Sequence, residues 1–273
     1  MKLTRASILV NGVLVLAAGL TLFPLLWMAS ASLMPAATAS SYPPPLWPSH
    51  PTLDNYRILF ARAGVGRHFL NSLVISVAAT VLALLFNVAA GYAFAKLDFP
   101  GRRRIHHVLV AALVIPAQVA MLPLFLMLKT LGLVNTLAGV LVPYLAGIFS
   151  IFLVRQAAVA IPGELLDAAR IDGAGEFTIY WRIVLPLLTP ILVTLAVFTF
   201  LGAWNDFLWP LIILNDSDRY TLPVALASLS REHVQDTELM MAGSVMTVIP
   251  VLVLFLVLQR YYLQGLMAGA VKG

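Results

Sequence analysis

Six apolar runs, each long enough to cross a membrane as a helix, alternate with polar segments along the chain. A membrane-spanning helix needs about 20 mostly apolar residues. The six runs cover residues 8–32, 72–95, 107–128, 136–155, 187–208 and 241–260. The pattern therefore predicts an all-α, polytopic membrane protein with six transmembrane helices.

The composition agrees with this pattern and excludes an independent water-soluble fold. Apolar residues make up 61% of the chain and charged residues 11%, whereas a soluble domain averages about 45–50% and about 25%. The chain has no cysteine, which excludes disulfides and cysteine-ligated metal sites. The first apolar run is longer than the h-region of a cleaved signal peptide, so we expect it to remain as an anchor helix.

Lys and Arg set the expected direction of the spans, because they concentrate in loops on the cytoplasmic side. With the N-terminus inside, eleven of the 17 basic residues lie in inner segments and six in outer segments. Arg102, Arg103 and Arg104 supply most of this excess. An even number of spans then places both termini in the cytoplasm. The net charge of +5 is thus explained by topology in the lipid bilayer and not by nucleic-acid binding.

The inner segment 156–186, named here the two-helix loop, is longer than a connection between two spans requires. Glu164, Asp167 and Arg170 follow one another at three-residue spacing. Side chains at that spacing share one stripe of a helix. The pattern predicts a first short helix with a charged face.

A second short helix is predicted after a glycine. Ala168 and Ala169 keep the other side of the first helix small, and Gly173 follows Asp172. A glycine permits positive φ and so breaks the chain between two helices. The residues after it repeat at the i, i+3, i+4, i+7 spacing of an amphipathic helix: Phe177, Tyr180, Trp181 and Val184. Pro186 is expected to stop this helix just before the fifth span.

The two short helices have two interpretations. They either pack on their own helix bundle or dock a cytoplasmic protein. About thirty residues with two distinct faces favour the docking interpretation, because a plain connector needs only a few residues.

The sequence predicts neither enzyme activity nor a cofactor in this chain. It contains no GxxxxGK[ST] phosphate loop and no HExxH pair, so catalytic and metal-binding residues are not assigned. Carriers driven by protons or sodium place ionisable groups at mid-depth in the membrane. Such groups are nearly missing from the six runs, so the energy for any transport is expected to come from another subunit.

Four residues are candidates for lining a solute pathway. Gln118 lies beside the span-breaking Pro116, and Asn205 and Asp206 lie near the outer end of the fifth run. Trp204 adds an aromatic face next to that polar pair. The alternative is that these side chains bond across helices or pack against a partner.

Several stretches of the chain resemble one family of transport proteins. In the two-helix loop, the triplets 167–169 and 172–174 and the Ile183-x-Leu185-Pro186 stretch resemble the EAA loop of ABC-importer permeases. Asp167 stands where that family usually has glutamate, which keeps the charge but shortens the side chain by one methylene. Further stretches are similar to the second permease of maltose-type carbohydrate importers: LDNY at 53–56, FLNS at 69–72, GYAFA at 91–95, DFPGR at 98–102, WNDF at 204–207 and AGAVKG at 268–273.

The resemblance implies a single permease domain over residues 1–273 of a bacterial inner-membrane importer for a sugar or oligosaccharide. Its implied partners are a homologous second permease, two cytoplasmic ABC ATPase subunits that bind ATP and magnesium, and an extracytoplasmic solute-binding protein. In the family, the EAA helices fit a cleft on each ATPase. The implied coupling residues are Glu164, Asp167, Ala168, Ala169, Arg170, Asp172, Gly173 and Ala174.

Two functions of other classes remain open at this point. One is a secondary carrier that works alone, against which the scarcity of ionisable groups and the two-helix loop both argue. The other is a membrane-embedded enzyme or an assembly subunit. An enzyme lacks support, because the chain offers no acid–base pair, nucleophile–base pair or metal cluster.

Overall fold

The computed structural model describes residues 5–61, 63–232 and 236–270, and within them it contains helices and no strand. The predicted all-α class is confirmed. The helices are α1 (Arg5–Ala31), α2 (Asp54–Ala61), α3 (Val65–Lys96), α4 (Arg102–Ala112), α5 (Ala117–Thr130), α6 (Leu137–Leu145), α7 (Ile148–Val159), α8 (Gly163–Ile171), α9 (Glu176–Ile179), α10 (Leu185–Leu187), α11 (Thr189–Trp204), α12 (Leu208–Ile213), α13 (Leu222–Glu232) and α14 (Thr237–Ala270). Residues 271–273, the end of the AGAVKG stretch that contributes to the family resemblance, lie outside the described residues.

Four helical stretches of the described chain are long and apolar enough to cross a membrane. They are Leu9–Ala31, Val65–Lys96, Leu137–Val159 and Thr237–Leu258. Two bent helix pairs, α4 with α5 and Glu176–Leu187 with α11, raise the number to six if each pair counts as one span. The count of six spans stays a prediction.

Prolines account for both bends. The α4 and α5 axes meet at 111°, and Pro116 lies directly before α5. The predicted run 107–128 is therefore two helices, because a residue that precedes proline is disfavoured in the helical region. The second pair bends by 79° at Leu188, between Pro186 and Pro190.

The structure shifts one predicted helix end and divides one predicted run. The second helix of the two-helix loop extends one residue past Pro186, to Leu187, before the bend at Leu188. The helix of the fifth run ends at Trp204, and a non-helical stretch separates it from α12, so the predicted run 187–208 is not one helix.

The described chain forms two compact units. The first contains residues up to Arg67 together with Leu222–Leu252. The segment between α1 and α2 is rich in proline and is not helical, because proline in a helix interior removes a backbone hydrogen bond and clashes with the preceding turn. The Asn55 side chain holds this segment, since its amide donates hydrogen bonds to the Ser32 and Met34 carbonyls at 2.9 Å.

The second unit contains His68–Thr221 and residues from Val253 onward. One of its apolar cores joins α3, α7 and the two-helix loop through residues such as Val88, Val154, Leu166 and Ile179. Another joins α3, α5, α6 and α12; its buried members are Ile75, Leu128, Val140, Trp209, Ile213 and Leu214.

Asn87 supports the break between α6 and α7. Its amide donates to the Tyr144 carbonyl at 3.3 Å, and its side-chain oxygen accepts from the Gly147 amide at 3.1 Å. Backbone groups that leave a helix need such partners when they are buried. The side chain is 1% exposed, so its role in the fold is structural.

Candidate functional site

The corner between the two short helices is built on a glycine, as the sequence predicts. Gly173 has φ of +86°, a conformation that residues with a Cβ atom rarely adopt. Its amide donates to the Arg170 carbonyl at 3.0 Å, and the Ala174 amide donates to the Ala169 carbonyl at 2.9 Å. These two bonds form a Schellman motif, which satisfies the last carbonyls of α8.

The second helix of the loop contains a wider turn that the sequence did not reveal. After α9, residues Tyr180–Val184 form a π-helical turn, in which the Leu185 amide donates to the Tyr180 carbonyl. Pro186 follows directly and has no amide hydrogen. Single π turns occur inside α-helices, often at functional sites.

This wider turn makes part of the predicted amphipathic face wrong. Phe177 is 75% and Trp181 49% exposed, whereas Val184 is fully buried. A π turn holds an extra residue per turn, so Val184 is rotated away from the side that carries the two aromatic rings. The buried side of the loop instead presents Ile179 and Val184 to the core of the second unit.

Charged side chains of the loop pair with each other. The Arg170 guanidinium donates to the Asp167 carboxylate at 2.7 Å and to the Glu176 carboxylate at 2.7 Å. These bonds, that of Glu176 first, raise the pKa of Arg170 further above its usual value. The second carboxylate oxygen of Glu176 accepts from the Tyr92 hydroxyl of α3 at 3.3 Å. Two of the three predicted stripe residues therefore bind one another.

Other exposed side chains of the loop form a surface that combines apolar groups with carboxylates. Leu165 is 43% exposed and Ile171 is 86% exposed. Glu164 and Asp172 are exposed and have no ion-pair partner within the described residues. Ala168 is also exposed, while Ala169 is half-buried against the core. This surface, which with Phe177 we name the loop face, is uncovered in the single chain.

A cavity of about 750 Å³ lies elsewhere in the second unit. Its wall is mostly apolar and comes from α5, α6 and the ends of the helices around them. The side chains that line it include Pro116, Ala117, Ala120, Met121, Leu124, Tyr144, Asp206 and Trp209. Pockets that bind small ligands are typically about 300–1,000 Å³, with a few polar groups on an apolar wall.

Asp206 is the charged residue of the cavity wall. Its carboxylate accepts a hydrogen bond from the Tyr144 hydroxyl at 3.2 Å and another from the Trp209 amide at 3.3 Å. The break between α11 and α12 leaves the Trp209 amide free to make that bond. Tyr144, a lone tyrosine within the apolar run 136–155, is the sequence signal for this pair, and it is not among the predicted site residues.

The other predicted pathway residues do not line this cavity. Gln118 is exposed but lies off the α5 face that forms the wall. Asn205 is exposed, and its side chain donates to the Leu201 carbonyl at 3.0 Å. Trp204 is fully buried, with its ring edge-to-face with Phe69 at 5.4 Å. The structure thus corrects the interpretation of Trp204, whose ring is a core residue and offers no open face.

The chain matches a known family and several known transport proteins. The family described as binding-protein-dependent transport system inner membrane component matches residues 87–266. The chain is 44% identical over 227 residues to the arabinooligosaccharides transport system permease protein AraQ of Halalkalibacterium halodurans, covering 83% of this chain and 81% of that protein. It is 34% identical over 260 residues to the diacetylchitobiose uptake system permease protein NgcG of Streptomyces coelicolor, covering 94% and 86%.

A solved structure has the same fold over nearly the whole chain. It is the crystal structure of a bacterial ABC transporter involved in the import of the acidic polysaccharide alginate. The superposition has a TM-score of 0.82 and a sequence identity of 25%, and it covers 95% of this chain and 98% of that chain.

Proposed function

This chain belongs to the family of binding-protein-dependent transport system inner membrane components, and we propose that the solute it passes is a sugar or oligosaccharide. Members of this family are multi-pass permease subunits, and a separate subunit hydrolyses ATP. The observation that carries the choice of solute is that relatives covering most of this chain are named for oligosaccharide transport. A carrier that works alone is not retained, because the family functions with a binding protein.

The proposed pathway runs beside the cavity that Asp206 lines. A carboxylate accepts hydrogen bonds from hydroxyl groups, which every sugar carries. The cavity has the size of a small-ligand site, and the Tyr144 hydroxyl beside Asp206 provides a second polar group. In this proposal the apolar wall formed by α5 contacts the faces of the sugar rings.

The proposed docking site for the ATPase is the loop face. Its exposed apolar side chains, Ile171 and Phe177 above all, fit an apolar cleft on the partner. The unpaired carboxylates of Glu164 and Asp172 fit a basic rim around that cleft. Asp167 and Arg170 neutralise each other, so their part is to hold the shape of α8, whereas the sequence alone suggests direct contacts with the partner. Ala168, Gly173 and Ala174 complete the corner that presents the face.

The proposed assembly follows from the family. The chain pairs with a homologous second permease, two ABC ATPase subunits bind ATP and magnesium beneath them, and a solute-binding protein delivers the sugar from outside. The two-helix loop and both termini lie in the cytoplasm in this proposal. The order of the basic residues supports that direction, since Arg102, Arg103 and Arg104 lie on the same side.

The experiment for the assembly is a pull-down of tagged chain from its native membranes in mild detergent, followed by mass spectrometry and reconstitution in proteoliposomes. We expect a second permease and an ATPase to co-purify. With the binding protein and ATP, the vesicles should take up a radiolabelled oligosaccharide. ATP-driven uptake of amino acids or peptides instead of sugars would refute the proposed solute, and recovery of the chain alone would refute the assembly.

The experiment for the pathway uses the natural absence of cysteine. Ala120→Cys places a thiol on the cavity wall, and Gln118→Cys places one on the same helix away from that wall. A thiol-reactive reagent should block uptake by the Ala120→Cys transporter, and the transported sugar should protect it. The Gln118→Cys transporter should be labelled without loss of uptake. Equal inhibition of both variants would contradict a pathway at this cavity.

A further inference from the structure

One face of α3 reaches the chain on both sides of α8. Tyr92 and Lys96 are four residues apart and so lie one above the other on the helix. The Lys96 ammonium donates to the Val159 carbonyl at 3.3 Å and to the Ile161 carbonyl, at the end of α7 and just before α8. The Tyr92 hydroxyl donates to Glu176, the first residue of α9.

Glu176 closes the connection on the other side of α8. One of its carboxylate oxygens accepts from Tyr92 and the other accepts from Arg170 in the last turn of α8. A carboxylate that receives donors on both oxygens is fixed in orientation. The end of α8 is therefore connected to α3 through a single side chain.

Close packing makes the same region resistant to sliding. A Cβ atom at Gly91 would lie 2.7 Å from the Val154 side chain, so α3 and α7 approach each other at this glycine. Tyr92 is 4% exposed, and its ring lies 5.4 Å from that of Tyr180 in the π turn. Packed interfaces of this kind move between discrete arrangements and do not deform continuously.

We propose that α3 moves as one body with the two-helix loop through a clamp formed by Tyr92, Lys96, Arg170 and Glu176. The chain connects α8 directly only to α7 and, through α9 and α10, to α11. The clamp also connects α8 to α3, a span that is distant in sequence. A displacement of α8 by the ATPase therefore moves α3 as well. This inference rests on the proposed function, since it names the helix that receives the motion of the docked loop.

The functional test compares variants of the clamp in the complete reconstituted transporter. Lys96→Met keeps the aliphatic stem and removes the donors, and Glu176→Gln removes the charge that Arg170 binds. In the double variant we expect normal assembly and ATPase activity, with a roughly fivefold rise in ATP hydrolysed per sugar transported, the size typical of a lesion in a coupling network. Lys96→Met alone should also raise the ratio of ATP hydrolysed to sugar transported. Lys96→Arg, which keeps the hydrogen-bond donors, should leave this ratio normal.

The matched control is Arg103→Gln. It removes an exposed positive charge close to the end of α3 that has no ion-pair partner in the described part of the chain, and it should leave the ratio unchanged. A normal ratio in the fully assembled double variant would overturn the clamp. Absence of ATP-driven uptake by the unaltered transporter would instead refute the proposed function, so the two failures are distinguishable.

A distance measurement tests the clamp without disturbing it. Single cysteines introduced at Val81 on α3 and at Arg182 in the π turn, both exposed, carry spin labels in the assembled transporter. The clamp predicts the same distance between the labels in the nucleotide-free and ATP-bound states. A shift of the whole distance distribution between these states would show that α3 and the loop move separately, which overturns the proposal.

Discussion

Substitution of Gly173 tests the corner of the two-helix loop with little interference from packing. Gly173 has φ of +86°, and a Cβ atom built on it meets no atom within 4 Å. A side chain there has space, so its cost comes from the backbone alone. Gly163, at the start of the same α8, also faces open space and has no positive φ. Gly163→Ala is therefore the matched control for Gly173→Ala.

The size of the effect follows from what holds the corner. A left-handed conformation costs a residue with a Cβ atom about 1–2 kcal/mol, and a β-branched residue falls at the upper end. The Schellman corner is held by two backbone hydrogen bonds, each with a net contribution of about 1 kcal/mol. The cost is thus comparable to what stabilises the corner. Since about 1.4 kcal/mol is a factor of ten, the equilibrium constant for forming the corner should fall roughly 5- to 30-fold.

The assay is ATP-driven sugar uptake in proteoliposomes, with ATPase recruitment measured by co-purification. Uptake should fall for Gly173→Ala and further for Gly173→Val, and Gly173→Asn should retain most of it because asparagine tolerates this conformation. Gly163→Ala should keep normal uptake. Full uptake by Gly173→Val in normally assembled complexes would refute the reasoning, as would an equal loss in Gly163→Ala.

Three further variants test other parts of the structure. Ile171→Glu, at a side chain that is 86% exposed, should leave the thermal midpoint unchanged and abolish co-purification of the ATPase. Co-purification of the ATPase with this variant would show that Ile171 is not part of the docking site. Gly91→Ala should lower the thermal midpoint, because its Cβ atom would lie 2.7 Å from a side chain on α7 and overpacking costs about 1–3 kcal/mol. Gly202→Ala, in open space within α11, is its control and should not lower it. Glu238→Ala should destabilise the first unit by about 1–3 kcal/mol, because the buried carboxylate accepts a hydrogen bond from the Ala39 amide at 2.6 Å. Glu238→Gln keeps an acceptor and should cost less. Identical melting curves for Glu238→Ala and the unaltered protein would exclude this bond as a stabilising contact.

Features that depend on neighbours in sequence were predictable. The glycine corner is one, because positive φ at Gly173 follows from the chemistry of the residue and of the turn. The first helix of the two-helix loop is another: the spacing of its charged residues predicts a short helix, which is observed as Gly163–Ile171. Both are set by interactions within a few residues of the chain.

The candidate site was predictable only in outline. The spacing of Glu164, Asp167 and Arg170 indicated a shared stripe, but it could not reveal that Arg170 pairs with Glu176 across the corner. The position of Trp204 beside Asn205 suggested an open aromatic face, and the ring proved to be packed against Phe69. An unbroken apolar run likewise carries no sign of where its helix turns, as the 111° bend before α5 shows.

Hydrophobic runs determine from sequence that this is an all-α membrane protein, because burial in lipid constrains composition over every stretch of about 20 residues. The motifs of the two-helix loop add the resemblance to importer permeases. The partners of individual side chains come from the fold. Tyr92 meets Glu176 across 84 positions of the chain, and Tyr144 meets Asp206 across 62. Contacts of such separation depend on how whole helices pack against each other, which no local pattern encodes.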